Sequence, residues 1–252
     1  MNINGFEVAS FLLLPSVFPD NIMLALFFTF VAFNLIVVSQ QQSDKFLIAF
    51  GDSFTSGGWE SYPLVAGRLL NWPAHNFAQY GSQMSHIPIQ LSLAGNALTN
   101  ATHVVFTTSG NDLGVEEAIQ QIAIYNNYAA VANKVISLKP QLIWTYQIIK
   151  GAVRAGTKIY ALPYVDFISV GDKIPNEADG HRLMDLYSNT IKAASQEAGI
   201  GFIEPVKSAF AGHEMYSADP YVLGFDEPNA AHPNEKGFYK IGEVVADYIK
   251  SH

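Results

Sequence analysis

Beyond residue 44 the chain alternates short, wholly apolar runs with longer stretches whose apolar positions recur every three to four residues. Residues 46–50 (FLIAF) form an unbroken apolar run that stops at Gly51-Asp52-Ser53, the pattern of a strand buried on both faces. A helix is expected over 62–70, a short second strand over 75–78 and another helix over 87–98. Residues 102–108 (THVVFTT), apolar and β-branched, predict a third strand. Helical periodicity then runs from 115 to 155. Pro140 is expected to divide it into two helices, because proline is tolerated in a first turn but not in a helix interior. A fourth strand is expected at 158–165, a long helix at 177–198 closed by Gly199, and a fifth strand at 201–205. An irregular stretch over 213–231 leads to His232, and a terminal helix is expected at 235–250. Strands separated by helices need crossover connections, so the sheet is predicted to be mostly parallel and covered on both sides. The expected fold class is α/β, a three-layer α/β/α sandwich of flavodoxin-like type with a five-stranded sheet, in one domain spanning 44–252. In such folds ligands sit outside the carboxyl ends of the strands.

Residues 1–43 read differently. The run 23–38 (MLALFFTFVAFNLIVV) has only Thr29 and Asn34 as polar members, and the polar sequence SQQQSDK follows it. Its length is at the upper edge of a signal-peptide core and short for a membrane span. A small-residue cleavage site near Ser39 makes a cleaved signal the preferred reading, hence a secreted protein. No Lys or Arg precedes the run, and Pro15 and Pro19 interrupt an extra leader. An uncleaved anchor holding the domain on the extracytoplasmic side and a structural segment are the alternatives, and membrane contact is expected only through this segment. The Asn100-Ala101-Thr102 sequon is compatible with secretion.

Composition narrows the partners. Hydrophobic residues make up 49% of 252, enough for one substantial core. Lys and Arg number 14 against 22 Asp and Glu, a net charge of −8, which argues against a nucleic-acid partner. The absence of cysteine excludes disulfides, thiol nucleophiles and cysteine metal sites.

The candidate chemistry lies where the crevice is expected. Gly51-Asp52-Ser53 follows the first strand, Tyr80-Gly81-Ser82 the second and Ser109-Gly110-Asn111-Asp112 the third, while His232 precedes the last helix. A parallel sheet brings its strand ends to one edge, so these points are expected to converge. A serine hydroxyl is a poor nucleophile near neutral pH and needs an adjacent base, for which imidazole is suited.

Gly-Asp-Ser-Phe-Thr-Ser-Gly at 51–57, Gly81, Gly110-Asn111-Asp112 and His232-Pro233-Asn234 with Gly237 together resemble the four blocks of the SGNH/GDSL hydrolases, in order, over residues 45–252. The resemblance implies a serine esterase or lipase with Ser53 as nucleophile and His232 as base. It also implies an oxyanion hole from the backbone N–H groups of Ser53 and Gly81 and the side-chain amide of Asn111. No metal or organic cofactor is implied. Glycine at 81 suits close backbone approach to a substrate.

The sequence departs from the family at one place. The aspartate usually found three residues before the histidine is Asn229 here. An amide or a backbone carbonyl can still accept the imidazole Nδ1–H. The Asn229 position, through its main-chain carbonyl, is the preferred partner, and Asp226 or Glu227 folding back is the alternative. Asp179 is expected to cap a helix, and Tyr125 and Tyr128 to lie in a helix core. His75, His86 and His103 show no partner pattern. Trp59, Tyr216, Tyr221, Leu223 and Phe225 are candidates to line an acyl site or to stack on sugars, so a lipid ester and an acetylated carbohydrate both remain substrates. A non-catalytic secreted or membrane-tethered binding protein on the same scaffold is the alternative function.

Overall fold

The computed structural model describes residues 44–252, so the leader 1–43 and the expectations that rest on it lie outside the described residues. Five strands pair in parallel: β1 (Leu47–Gly51), β2 (Ala74–Asn76), β3 (His103–Thr107), β4 (Lys158–Ala161) and β5 (Gly201–Phe202). Their order is β2-β1-β3-β4-β5. The chain steps outward from β1 to β2, then returns past β1 to β3, so a crevice opens at the carboxyl ends of these two central strands. Every residue of β1 and β3 is buried, the polar His103 and Thr107 at the ends of β3 included.

Ten α-helices accompany the strands among the described residues. α1 (Ser53–Ser56) and α2 (Tyr62–Leu70) follow β1, and α3 (Ile87–Ala94) and α4 (Ala97–Asn100) follow β2. α5 (Gly110–Leu113), α6 (Val115–Ala123), α7 (Tyr128–Ser137) and α8 (Lys139–Ala152) separate β3 from β4. α9 (Glu177–Ala198) leads to β5, and α10 (Glu235–Ser251) ends the chain. α2 packs on α10, and α3, α8 and α9 form the other layer. The three-layer α/β sandwich is therefore the observed architecture. No described helix is long and apolar enough to cross a membrane.

Local chemistry explains where the elements differ from expectation. The helix expected at 87–98 breaks at Gly95, whose φ of +50° ends α3. The stretch 115–155 forms three helices rather than two. Asn126, at φ +52°, supplies a break that the periodicity hides, and Pro140 sits in the first turn of α8. β4 and β5 are shorter than expected: β4 pairs with β3 only over Lys158–Ala161, and β5 pairs only with Tyr160 and Ala161. Asp179 is not the cap of α9: Asn176 holds that position, and Asp179 pairs with Arg182 in the first turn. Tyr125 is exposed rather than buried in a helix core, and Tyr128 takes the Arg182 guanidinium over its ring at 4.1 Å. Gly199 closes α9 in the left-handed conformation, as expected.

Candidate active site

The first component is the turn from β1 into α1. Gly51 has φ +128°, and a Cβ there would lie 1.9 Å from the Thr107 carbonyl oxygen, so no other residue fits. Asp52 then caps α1: its Oδ1 accepts from the Phe54 N–H at 3.1 Å and from the Thr107 hydroxyl at 2.9 Å. The Tyr164 hydroxyl donates to Oδ2. Burial pushes the Asp52 carboxyl above the ordinary carboxylate range, against the opposing effect of these donors. Ser53 follows as the first residue of α1, only 6% exposed. Its N–H donates to no other group among the described residues and is one of the orphan donors at the positive end of the helix.

The second component is the loop before α10. The Nε2 of His232 lies 2.7 Å from the Ser53 Oγ. Its Nδ1 faces two main-chain carbonyls, Ala230 at 3.0 Å and Asn229 at 3.1 Å. This pattern puts the proton on Nδ1 and leaves Nε2 to accept from the serine. The carbonyls reach the ring because Asn229 and Ala231 both adopt φ +62°, an unusual region for residues with a side chain. The Asn229 amide does not touch the imidazole; its Oδ1 accepts from the Tyr80 hydroxyl at 3.0 Å. The Glu227 carboxylate is taken by the Gly224 N–H, and neither it nor Asp226 bonds the ring among the described residues. The imidazole packs against Phe54 and Tyr80, each with its ring centroid 5.6 Å away, the Tyr80 ring nearly parallel to it.

The third component gathers the other donors. Gly81 has φ +74°, open space where a Cβ would stand, and an N–H with no acceptor among the described residues. Asn111, in α5, donates one Nδ2 hydrogen to the Ser82 carbonyl at 2.8 Å, which leaves the other for a ligand. Asp112 beside it accepts from the Met84 N–H at 3.0 Å, so one turn grips the second loop twice.

Two supporting residues escaped sequence reasoning. Gln90, fully buried in α3, accepts from the Gly51 N–H at 2.7 Å and donates to the Gly51 carbonyl and the Ser82 hydroxyl at 2.8 and 3.0 Å. Tyr164, just beyond β4, accepts from the Gly110 N–H at 2.7 Å while donating to Asp52. Neither lies in a motif. The polar atom of Gln90 within an apolar helix was the only available signal.

A cleft of about 420 Å³ opens over the pair, lined by Phe54, Val115, Phe167 and Met184 on apolar stretches and by Tyr80, Asn111, Glu116 and Glu117 on polar ones. The aromatics expected to line an acyl site are not part of its wall. Phe225 flanks an adjoining groove that shares Glu116 and Ala230 with this cleft, Leu223 lines a smaller recess beyond His232, and Trp59 is 94% exposed. His86 caps a turn by accepting from the Gln83 N–H, His75 meets the Phe46 ring edge-on, and the His103 ring packs at a tilt against Trp72, all outside the site. Among the described residues no His, Asp and Glu cluster is arranged to hold a metal ion.

The sequence profile of the GDSL-like lipase/acylhydrolase family matches residues 49–239. No curated protein matches the chain in sequence. The fold is similar to that of an extracellular lipase from Streptomyces rimosus, with a TM-score of 0.70 at 20% identity, covering 82% of this chain and 99% of that one. It is similar in the same way to phospholipase A1 from Streptomyces albidoflavus NA297, with a TM-score of 0.69, 19% identity and coverages of 82% and 100%. An acetyl xylan esterase from Geobacillus stearothermophilus aligns with a TM-score of 0.54 at 15% identity, covering 82% and 95%. At these identities the neighbours establish a shared fold, while the profile match runs from β1 into α10 and takes in each of the four sequence blocks. The chain belongs to the GDSL-like lipase/acylhydrolase family and is an ester hydrolase.

Proposed function

We propose that the protein hydrolyses esters of apolar acyl groups through an acyl-enzyme on Ser53. The observation that carries this reading is the 2.7 Å contact between the Ser53 Oγ and the His232 Nε2 in the wall of a cleft whose larger side chains, Phe54, Phe167 and Met184, are apolar. Nε2 takes the serine proton as Oγ attacks the ester carbonyl carbon. The resulting oxyanion lies against the Ser53 and Gly81 N–H groups and the Asn111 amide, donors whose individual removal typically costs about 3 kcal/mol. The imidazolium returns its proton to the leaving alkoxide, and a water molecule repeats the sequence on the acyl-enzyme. Nδ1–H stays bonded to the Asn229 and Ala230 carbonyls throughout. These orient the ring without supplying the negative charge of a carboxylate.

The apolar lining favours a lipid-type ester. Deacetylation of carbohydrate is a second reading, supported by Trp59 and Tyr80, exposed on the same edge and suited to stacking on sugar rings. The apolar run 23–38 supports export or tethering outside the cytoplasm. The test is labelling of the full chain with a fluorophosphonate, which modifies activated serines. Wild type is expected to label and Ser53→Ala to remain unlabelled. Labelling that survives the substitution removes Ser53 from its role. An unlabelled wild type that also leaves p-nitrophenyl esters intact favours the non-catalytic binding protein.

A further inference from the structure

A base whose Nδ1 is met by main-chain carbonyls alone is as well oriented as the loop that carries them. The loop before α10 has an energetic disadvantage, since Asn229 and Ala231 both occupy the left-handed region, a cost of about 1 kcal/mol or more for each residue with a side chain. On its inner side the loop is tied down: Ala231 donates to the Leu223 carbonyl, Leu223 to the His232 carbonyl, and Val222 bridges Pro233. On its outer side Asn229 is exposed; its carbonyl accepts from the His232 main-chain N–H at 3.1 Å, and one side-chain contact holds it, the bond from the Tyr80 hydroxyl at 3.0 Å. That bond spans 149 positions and joins the oxyanion loop to the histidine loop. The Tyr80 ring meanwhile lies nearly parallel to the imidazole, 17° between planes.

We infer that Tyr80 is a positioning residue, whose hydroxyl fixes the Asn229 peptide so that its carbonyl can take the His232 Nδ1–H. The inference rests on the proposed Ser53–His232 chemistry. Tyr80 is 64% exposed and takes little part in the core, so its side chain is placed for the site rather than for stability. Its neighbour Gly81 places an oxyanion donor at the same time, so base and oxyanion hole are set against each other by one short loop. In a chain lacking the family's carboxylate, the tyrosine–asparagine pair takes over the task of orientation by holding the acceptor instead of being it.

The experiment uses Tyr80→Phe, which keeps the stacked ring and removes the hydroxyl, and Asn229→Gly, which keeps the positive φ and removes the amide. Each is expected to lower kcat about five- to tenfold, the rate equivalent of one hydrogen bond, with KM for a p-nitrophenyl ester changed less than twofold and Tm within a few degrees. The double variant is expected to be no slower than either single one, because both remove the same bond. Asn229→Asp, which keeps an acceptor for the hydroxyl, is expected to recover most of the loss seen with glycine. Wild-type kcat in Tyr80→Phe, additive losses in the double variant, or a change in KM alone each overturn the proposal. Fluorophosphonate labelling of wild type separates these outcomes from failure of the serine reading itself, since labelling persists when only the role of Tyr80 is wrong.

Discussion

Tyr164 joins two of the sequence blocks through one oxygen atom: its hydroxyl donates to Asp52 beside Ser53 and accepts from the Gly110 N–H, 2.7 Å away. Tyr164 is buried, and its ring stacks on Tyr187, whose hydroxyl bonds Ser109 at 2.7 Å. Burial, and then the Asp52 charge, push the Tyr164 phenol well above its ordinary range, so it stays protonated and keeps donating.

Tyr164→Phe therefore leaves the fold's packing intact but removes a donor from a buried carboxyl and an acceptor from a partly buried N–H. The expected loss is about 2–3 kcal/mol, the cost of leaving such groups unsatisfied. Activity should fall too, since Gly110 begins the turn that carries Asn111. Urea unfolding and kcat on p-nitrophenyl butyrate measure the two effects. Full stability with full activity would show that the hydroxyl links nothing.

Much of this site was legible from residue order. The unbroken apolar run of β1 and the Val-Val-Phe centre of β3 announce strands buried on both faces, and polar residues placed directly after them reach the carboxyl edge in any parallel sheet. What the sequence could not show is the set of side chains that hold those points in register. Gln90 bonds Gly51 and Ser82 from within α3, a helix whose pattern looks simply apolar. The two backbone carbonyls at Nδ1 depend on φ angles at Asn229 and Ala231 that no periodicity encodes. The additional helix break at Asn126 was missed for the same reason, because a single left-handed residue leaves the apolar spacing on either side undisturbed. The wall of the cleft was misread because Phe167 and Met184 come from the loop after β4 and from α9, distant in sequence from every motif.

Stability should also respond to acid through His103, outside the site. This residue is 4% exposed at the start of β3, its ring tilted against Trp72 with centroids 4.6 Å apart. Burial, and then the charges of Lys158 and Lys45, push its pKa down to about 4. The unfolded chain takes up a proton near the ordinary value of about 6.5, whereas the folded protein resists until about 4. Stability is thus lost as pH falls through that window, by an amount on the order of 2 kcal/mol, and His103 contributes no pH dependence above it. Urea unfolding of wild type and His103→Gln at pH 7 and pH 4.5 tests this. The wild-type decline should be steeper, and equal declines in both proteins would remove His103 as the cause.

The apolar cleft sets a further expectation, for acyl-chain preference. Each methylene transferred from water to an apolar wall contributes about 0.8 kcal/mol, nearly fourfold in kcat/KM when the transition state keeps the contact. A cleft of about 420 Å³ lined by Val115, Phe167 and Met184 offers such a wall to several methylenes. Across p-nitrophenyl acetate, butyrate and octanoate, kcat/KM should therefore rise. Val115→Phe places a larger side chain in the wall at the start of α6, where Val115 is only partly buried and the fold can accept it. The octanoate-to-acetate ratio of kcat/KM should then fall about tenfold or more, the equivalent of roughly two lost methylenes. A series that falls from acetate to octanoate in wild type contradicts the lipid reading directly. It turns attention to the exposed Trp59 and Tyr80 and to acetylated carbohydrate as the substrate, which acetylated xylan in place of the synthetic esters would then examine.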